Sequence, residues 1–253
     1  MRNQSYLYDR SIVAFELAPD LERSEGSSLV ARAMRAVNDR IRSAGLKRGH
    51  PIPSEAAFAL ELAVSRPIVR EAFRSLATLG IIEVGNGRRA RVGGIDETVL
   101  PLVLDHAVQT DQVSIQQIYD VRRTIETRTV ALAALRRGAA ESIEIGRLAQ
   151  AMRSDFAQPQ AVMGHDIAFH EAIARASKNP LFALIVSAFH VITRQTWQIG
   201  WSSRPSDADR YESVACHERI ANAIAAQDPR DAEAAMAEHF DHSVKALLAA
   251  GVI

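Results

Sequence analysis

Four side chains with metal-binding chemistry fall on apolar faces of predicted helices in the second half of the chain. Asp166 and His170 are four residues apart, so both can reach one point from the same helical face. His217 and His239 each align with apolar residues at helical spacing in two later segments. Because burying unpaired polar groups is costly, a divalent metal held by three imidazoles and one carboxylate would satisfy all four.

The spacing alone leaves an ordinary interpretation open. A single histidine that faces a core is commonly hydrogen-bonded to backbone, and an aspartate and a histidine four residues apart also meet by chance on helix surfaces. We assign His190 and His242 to the ordinary or exposed kind, and His165 lies off the face that carries Asp166.

A second group of residues has the chemistry of DNA recognition. Arg66 and Arg70 are four residues apart and project from one face of a predicted helix that opens at Ser65. An arginine fork matches two acceptors on guanine in the major groove, and Ser65 with the helix N-terminus can bind a phosphate. The alternative is that these arginines form surface ion pairs, for instance with Glu71.

Short elements must position these arginines. We predict helices over residues 28–44 and 54–62 and a third from Ser65 to Thr78 or Leu79, the last two joined by about three residues as a helix-turn-helix. Two β runs at 81–84 and 90–92 flank a Gly-Asn-Gly turn and predict a hairpin wing. Arg88 and Arg89 lie beside the wing tip, where they can reach the DNA backbone or minor groove.

The rest of the chain is Ala-rich and helical in pattern, with Pro159, Pro180, Pro205 and Pro229 near the predicted breaks. We predict helices near 97–109, 114–137, 139–155, 160–177, 180–200, 208–226 and 229–249. The predicted fold is mainly α, a winged helix-turn-helix followed by an antiparallel bundle of six or seven helices. The expected domains are an arm at 1–27, a DNA-binding domain at 28–93 and a helical domain at 97–250.

Composition bounds the class of protein. A hydrophobic fraction of 47% in 253 residues, with 24% charged residues, fits packed domains and excludes general disorder. The single cysteine, Cys216, excludes a disulfide framework within the chain and fits a reducing compartment. No apolar run reaches transmembrane length and no secretion signal is evident, so we expect a cytoplasmic location.

Charge is unevenly spread over a neutral chain. Residues 30–92 hold 12 Lys/Arg against 5 Asp/Glu, while residues 93–253 hold 15 against 20. A compact basic segment indicates a polyanion partner, although a solvated basic surface would have the same composition.

The DNA-recognition residues sit in a wider motif. Residues 49–55, 62–72 and 76–82 together resemble the winged helix of GntR-type regulators, and the resemblance covers residues 29–92. It implies that Ser65, Arg66, Arg70 and Gly87 contact DNA. Ala56 departs from the family, which often has arginine after the glutamate at this position, so one contact is missing or is made by Arg88 or Arg89. Pro67 and Ile68 also replace frequent hydroxyl residues.

The helical segments resemble the FCD effector domain of the FadR branch of that family, over roughly residues 97–249. The resemblance rests on five stretches: 119–126, 166–173, 177–181, 217–220 and 236–239. It implies that Asp166, His170, His217 and His239 hold a metal and that Arg122 pairs with an effector carboxylate. An intrahelical pair with Glu126 is the alternative for Arg122. Asn179 is a further effector-binding candidate, or it simply ends a helix before Pro180.

These features predict a non-enzymatic, DNA-binding transcription regulator, a repressor with no catalytic residues. We expect a homodimer that binds double-stranded operator DNA and a small carboxylic acid, with zinc as the metal and nickel or manganese as substitutes. Two alternatives stay open: a metal-dependent hydrolase fused to a DNA-binding module, and a regulator whose metal is purely structural.

Overall fold

The computed structural model describes residues 25–85, 88–94 and 97–252. The chain divides into two compact units, Met1–Asp96 and Glu97–Ile253. Most of the predicted N-terminal arm lies outside the described residues, and the first helix already begins at Glu25.

The described part of the first unit is a winged helix-turn-helix. Its elements are α1 (Glu25–Ser43), α2 (Glu55–Leu62), α3 (Arg66–Thr78), β1 (Ile82–Glu83) and β2 (Arg91–Val92). The two strands are antiparallel, with Ile82 opposite Val92 and Glu83 opposite Arg91. The predicted fold of this half is confirmed.

Local sequence explains the tight turn between α2 and α3. Ser54 caps α2 by accepting a hydrogen bond from the amide of Ala57 at 3.2 Å. Ala63 ends the helix in the left-handed region with φ of 51°, and Val64 donates back to the carbonyl of Ala59 at 3.1 Å. Pro67 then fits the first turn of α3, where a missing amide hydrogen costs nothing.

Two features hold the wing against the helices. Phe58 of α2 and Phe73 of α3 meet edge to face, with ring centroids 5.9 Å apart, in a core that includes Leu76 and Ile82. Gly93 follows β2 at a place where a Cβ atom would lie 2.0 Å from the carbonyl oxygen of Gly80. The close approach of these two backbone segments therefore requires glycine at position 93.

The described part of the second unit contains eight helices and no strand. They are α4 (Val99–Gln109), α5 (Ile115–Arg136), α6 (Ala139–Ser154), α7 (Pro159–Ala176), α8 (Pro180–Ala188), α9 (His190–Ser202), α10 (Asp207–Ala225) and α11 (Pro229–Ala249). The all-helical architecture predicted for this half is confirmed.

Prolines and capping side chains set the helix starts in this unit. Pro159, Pro180 and Pro229 each occupy the first turn of a helix, so they lie at the breaks where the sequence predicted them. Ser114 forms a capping box with Gln117 at the start of α5, the long helix that packs against α7 and α11. These local signals therefore set where α5, α7, α8 and α11 begin.

The single helix predicted over residues 180–200 was wrong. The structure separates it into α8 and α9 at Phe189, whose amide bonds the carbonyl of Val186 three residues back. The Thr193 hydroxyl donates to the Phe189 carbonyl at 3.2 Å, a local bond that bends helices. No proline or glycine marks this break, so the sequence pattern did not indicate it.

The core of the second unit is formed by buried aliphatic and aromatic residues from α5, α6, α7, α10 and α11. Charged groups are buried with them: Arg122 is 5% exposed and Glu126 2% exposed. Such burial is uncommon unless the charges are paired. Among the described residues, no helix is long and apolar enough to cross a membrane.

Candidate functional site

The four candidate metal ligands meet inside the helical unit. Asp166 and His170 come from successive turns of α7, His217 from α10 and His239 from α11. Each offers one ligand atom, and these atoms all lie within 4.8 Å of one another. All four side chains are buried. Three helices thus bring together the residues that the sequence analysis selected.

His217 is oriented by its own helix. Its Nδ1 lies 2.8 Å from the carbonyl oxygen of Ser213, which accepts the Nδ1 proton and leaves Nε2 with a lone pair. That Nε2 lies 2.8 Å from Oδ1 of Asp166. Two electron-rich atoms at this distance need a cation or an additional proton between them.

His170 is oriented by a carboxylate. Its Nδ1 lies 2.5 Å from Oε2 of Glu126, and its Nε2 is buried with no hydrogen-bond partner. The same Nε2 is 4.0 Å from Oδ1 of Asp166. A histidine that donates from one nitrogen to a carboxylate and presents the other to an enclosed site has the arrangement typical of metal ligands.

The charge states of two residues of the cluster, His239 and Asp166, also suit a cation. Burial and the neighbouring His217 and His170 hold the pKa of His239 well below its usual value, so its imidazole is neutral. Burial alone would raise the pKa of Asp166, but the close contact with His217 and the nearby His170 and His239 lower it, so the carboxylate is ionised. Three imidazoles and one carboxylate fit Zn²⁺, and nickel or manganese accept similar donors.

Arg122 lies next to this cluster on α5. Its Nε donates to Oε1 of Glu126 at 2.9 Å and its Nη1 to Oγ1 of Thr193 at 2.9 Å. The guanidinium carbon is 5.2 Å from the ring centroids of both Tyr119 and Phe240. The intrahelical pair with Glu126, which the sequence analysis left open, does form.

Glu126 is the residue whose role the sequence analysis missed. It accepts from both Arg122 and His170, so it joins the arginine to the candidate metal ligands. Burial alone would raise the pKa of Glu126, but His170 and Arg122 lower it. Its position four residues after Arg122 was the available signal; the contact with His170 depends on how α5 packs on α7.

A cavity of about 50 Å³ opens beside the cluster. It is lined by Arg122, by three of the four candidate ligands, and by polar and aromatic residues of α9, α10 and α11; these include Thr193, Thr196, Trp197, Trp201, Ser213 and Ser243. Arg204, from the connection between α9 and α10, also lines it, and the sequence analysis did not select that residue. The cavity has room for about four water molecules or a small solute.

Asn179 does not take part in this lining, as far as the described residues form it. It precedes α8 and caps that helix, accepting from the amide of Leu181 at 3.1 Å. The prediction that Asn179 binds an effector therefore has no support from the cavity, and the helix-end interpretation describes its observed role.

The candidate DNA-binding side chains are exposed in the first unit. Ser65 precedes α3 and makes no capping hydrogen bond with its side chain. Arg66 and Arg70 are exposed, and Nε of Arg70 lies 3.3 Å from Oε2 of Glu55. Glu71, the ion-pair partner considered from the sequence, instead lies 3.9 Å from Arg74.

The wing carries the other two candidate arginines. Arg88 and Arg89 are exposed in the segment between β1 and β2, and the Arg88 amide donates to the carbonyl of Gly85 at 3.1 Å. Gly87 lies outside the described residues. The opposite face of α3 is buried, with Val69 and Leu76 fully enclosed, so the arginine-bearing face is left open to a partner.

Comparison with known proteins decides the family. Residues 29–92 match the family of bacterial regulatory proteins called the gntR family, and residues 117–242 match the FCD domain. The chain is 33% identical to the HTH-type transcriptional regulator LutR of Bacillus subtilis, over 79% of this chain and 92% of LutR. The chain belongs to the GntR family.

Other relatives of this GntR-family chain are named as repressors or as activators. It is 29% identical to the galactonate operon transcriptional repressor of Escherichia coli, over 74% of this chain and 82% of that protein. It is equally 29% identical to the Glc operon transcriptional activator of Escherichia coli, over 77% and 79%.

A solved structure shares the fold. The GntR of Streptococcus agalactiae superposes with a TM-score of 0.59 at 24% identity, covering 85% of this chain and 98% of that one. The two family matches and the similarity to LutR identify this GntR-family chain as a DNA-binding transcription regulator with an FCD domain. FCD domains are known to bind metals, and this one contains a buried His/Asp cluster.

Proposed function

We propose that this regulator is a repressor whose operator binding is controlled by a small carboxylic acid bound at a metal site in its helical domain. The observation that carries the proposal is the enclosed set of Asp166, His170, His217 and His239 at the edge of a cavity that Arg122 also lines. The proposed domains are 28–93 for DNA binding and 97–250 for the effector.

The buried His170 Nε2 supports a metal in this cluster. An unpartnered polar atom inside a protein is costly, and coordination would compensate it. Asp166, His170, His217 and His239 would hold the ion, with zinc as the first choice. A divalent cation bound there would offer a carboxylate further coordination positions by expanding its coordination beyond these four residues.

Arg122 would position the acid. Glu126 and Thr193 accept hydrogen bonds from its Nε and Nη1. Because the guanidinium is planar, these two bonds also fix the direction of Nη2. Burial alone lowers the pKa of Arg122, but Glu126 and Tyr119 raise it, so the group keeps its charge. A fixed, charged donor in an enclosed site binds a carboxylate more strongly than an exposed one.

In the DNA-binding domain, we infer that Ser65 and the N-terminus of α3 bind backbone phosphate and that Arg66 and Arg70 read bases in the major groove. Gly87, Arg88 and Arg89 would bring the wing to the backbone or minor groove. The chain would act as a homodimer, because one winged helix covers a half-site and operator palindromes mirror twofold symmetry.

The acid would act by its different affinity for two arrangements of the dimer. A ligand that binds the DNA-bound and released arrangements equally cannot shift operator affinity, however tightly it binds. We place the tighter acid binding in the released arrangement, which makes the acid an inducer.

Metal content together with thermal stability tests the proposal. We expect about one zinc per chain by elemental analysis and a rise in melting temperature with a small carboxylate such as lactate. The His170→Ala variant should lose both. His242→Ala is the matched control, because His242 lies one turn beyond His239 on α11 and outside the ligand set; it should keep both.

The other outcomes distinguish the alternatives. Stoichiometric zinc without any response to carboxylates would assign the metal a purely structural role. Turnover of a hydrolysable substrate would favour a metal-dependent hydrolase. Zinc retained in His170→Ala would contradict the proposed ligand set.

A further inference from the structure

We propose that the effector is a small dicarboxylic acid and that Arg204 binds its second carboxylate. The inference rests on the proposed function, since it assigns a ligand class to the same cavity. It depends on a side chain that lines the cavity and lies outside the proposed metal set.

Arg204 is a cation that lines the cavity without a carboxylate partner. It follows α9, and its Nη1 donates to the Gly200 carbonyl at 2.5 Å while its Nη2 donates to the Ser213 hydroxyl at 3.1 Å. In the described part of the chain it forms no ion pair. Burial lowers the pKa of Arg204, and Asp166, across the cavity lining, only partly offsets this.

Its arginine neighbours are compensated. Arg122 is paired with Glu126 at 2.9 Å, and Arg210 is paired with Asp207 at 2.6 Å. Arg210 also donates to two carbonyl groups at the end of α9, so its role in the fold is clear. Arg204 is the arginine of this region that keeps a charge facing the cavity and has hydrogen bonds only to neutral groups.

The charges around the cavity indicate the charge of the ligand. Arg122 and Glu126 cancel each other, and the single charge of Asp166 offsets half of a divalent cation in the proposed site. The remaining charge of that cation and the charge of Arg204 sum to two positive charges. A monocarboxylate would leave one of them uncompensated in a partly enclosed place, whereas a dicarboxylate would balance both.

Size and lining agree with a short diacid. The cavity of about 50 Å³ fits a small solute better than a nucleotide or an acyl chain. Apolar groups of Trp197, Trp201, Val214 and Leu247 also line it, and they suit the few carbon atoms between two carboxylates. In the proposed complex, the two carboxylates of the acid make charged contacts, and its short carbon chain lies against these apolar side chains.

A matched pair of acids tests the second contact. L-Malate is L-lactate with one more carboxylate, so the difference in their dissociation constants isolates that group. We would titrate both acids by calorimetry into the zinc-loaded full-length chain. The wild type should bind L-malate about tenfold or more tightly than L-lactate, as expected for a charge-assisted hydrogen bond.

Substitutions then locate the contact. Arg204→Met should bring L-malate to the affinity of L-lactate and leave L-lactate unchanged. Arg194→Met removes the same charge from an exposed position on α9, outside the cavity lining, and should keep the preference. Arg204→Gln retains a donor for the Gly200 carbonyl, so it repeats the test if Arg204→Met lowers the zinc content or melting temperature.

The results separate the two proposals. Equal binding of the two acids by the wild type, or an equal loss of both in the Arg204 variants, overturns the role of Arg204 and leaves the proposed function standing. No binding of either acid by the zinc-loaded wild type overturns both. A preference for L-malate that only the Arg204 variants abolish supports the inference.

Discussion

The two units of this regulator use charge in opposite ways. In the winged helix, Arg66, Arg70, Arg88 and Arg89 are exposed, and the ion pair that Arg70 forms with Glu55 at 3.3 Å lies at the surface. In the helical unit, Arg122 and Glu126 are almost completely buried and joined to His170. Exposed charges are free to exchange water for DNA, while buried charges fix a geometry before any ligand arrives.

The largest effect should come from breaking the buried network. Glu126→Ala removes the partner of both Arg122 and His170, so we expect the free energy of unfolding to fall by about 3–5 kcal/mol. Glu61→Ala breaks the exposed pair with Arg40, which measures 2.9 Å, and should cost less than about 1 kcal/mol. Chemical denaturation of both variants measures the difference, and equal losses would remove the contrast between the two units.

The next effect should be confined to the winged helix. Gly93→Ala forces a Cβ against the Gly80 carbonyl, so we expect a loss of about 2 kcal/mol in that unit. Gly85→Ala is the control, because its nearest contact, Cβ of Arg88, would be at 3.8 Å. Hydrogen exchange followed by mass spectrometry should show faster exchange in the first unit with zinc content unchanged. Loss of zinc in Gly93→Ala would mean that the units do not fold separately.

The smallest effect should be on DNA affinity. Arg70→Met should weaken binding to a selected operator by about tenfold, the range of one specific base contact. Arg74→Met loses the same charge from α3, one turn after Arg70, and should change affinity only slightly. Fluorescence anisotropy at two salt concentrations measures both. If the two variants lose affinity equally, Arg70 contributes charge and not base recognition.

The contrast also explains which parts of the fold and of the candidate site could be predicted from the sequence. Periodicity, caps and prolines locate the helices, and same-face spacing selects Asp166 and His170 because both depend on neighbours along one helix. The Glu126–His170 contact and the position of Arg204 depend on how separate helices pack, which no local pattern records. The break at Phe189 is of the same kind, since it has neither proline nor glycine to mark it.

The family resemblance favoured a role for two histidines that their spacing alone did not assign. The spacing of His217 and His239 allowed either a shared site or two ordinary core histidines, and the FCD pattern favoured the first. The structure gathers the ligand atoms of all four candidate residues within 4.8 Å of one another. It gives no such support to Asn179, whose position in the FCD pattern coincides with a helix cap.

The chain has two tryptophans, and both line the cavity. The rings of Trp197 and Trp201 are stacked, with centroids 5.0 Å apart and planes inclined by 14°. All tryptophan emission of the protein therefore arises at one wall of this cavity, and the winged helix contributes none. The regulator carries a built-in optical probe of its own cavity, readable in the presence of DNA and without any attached dye.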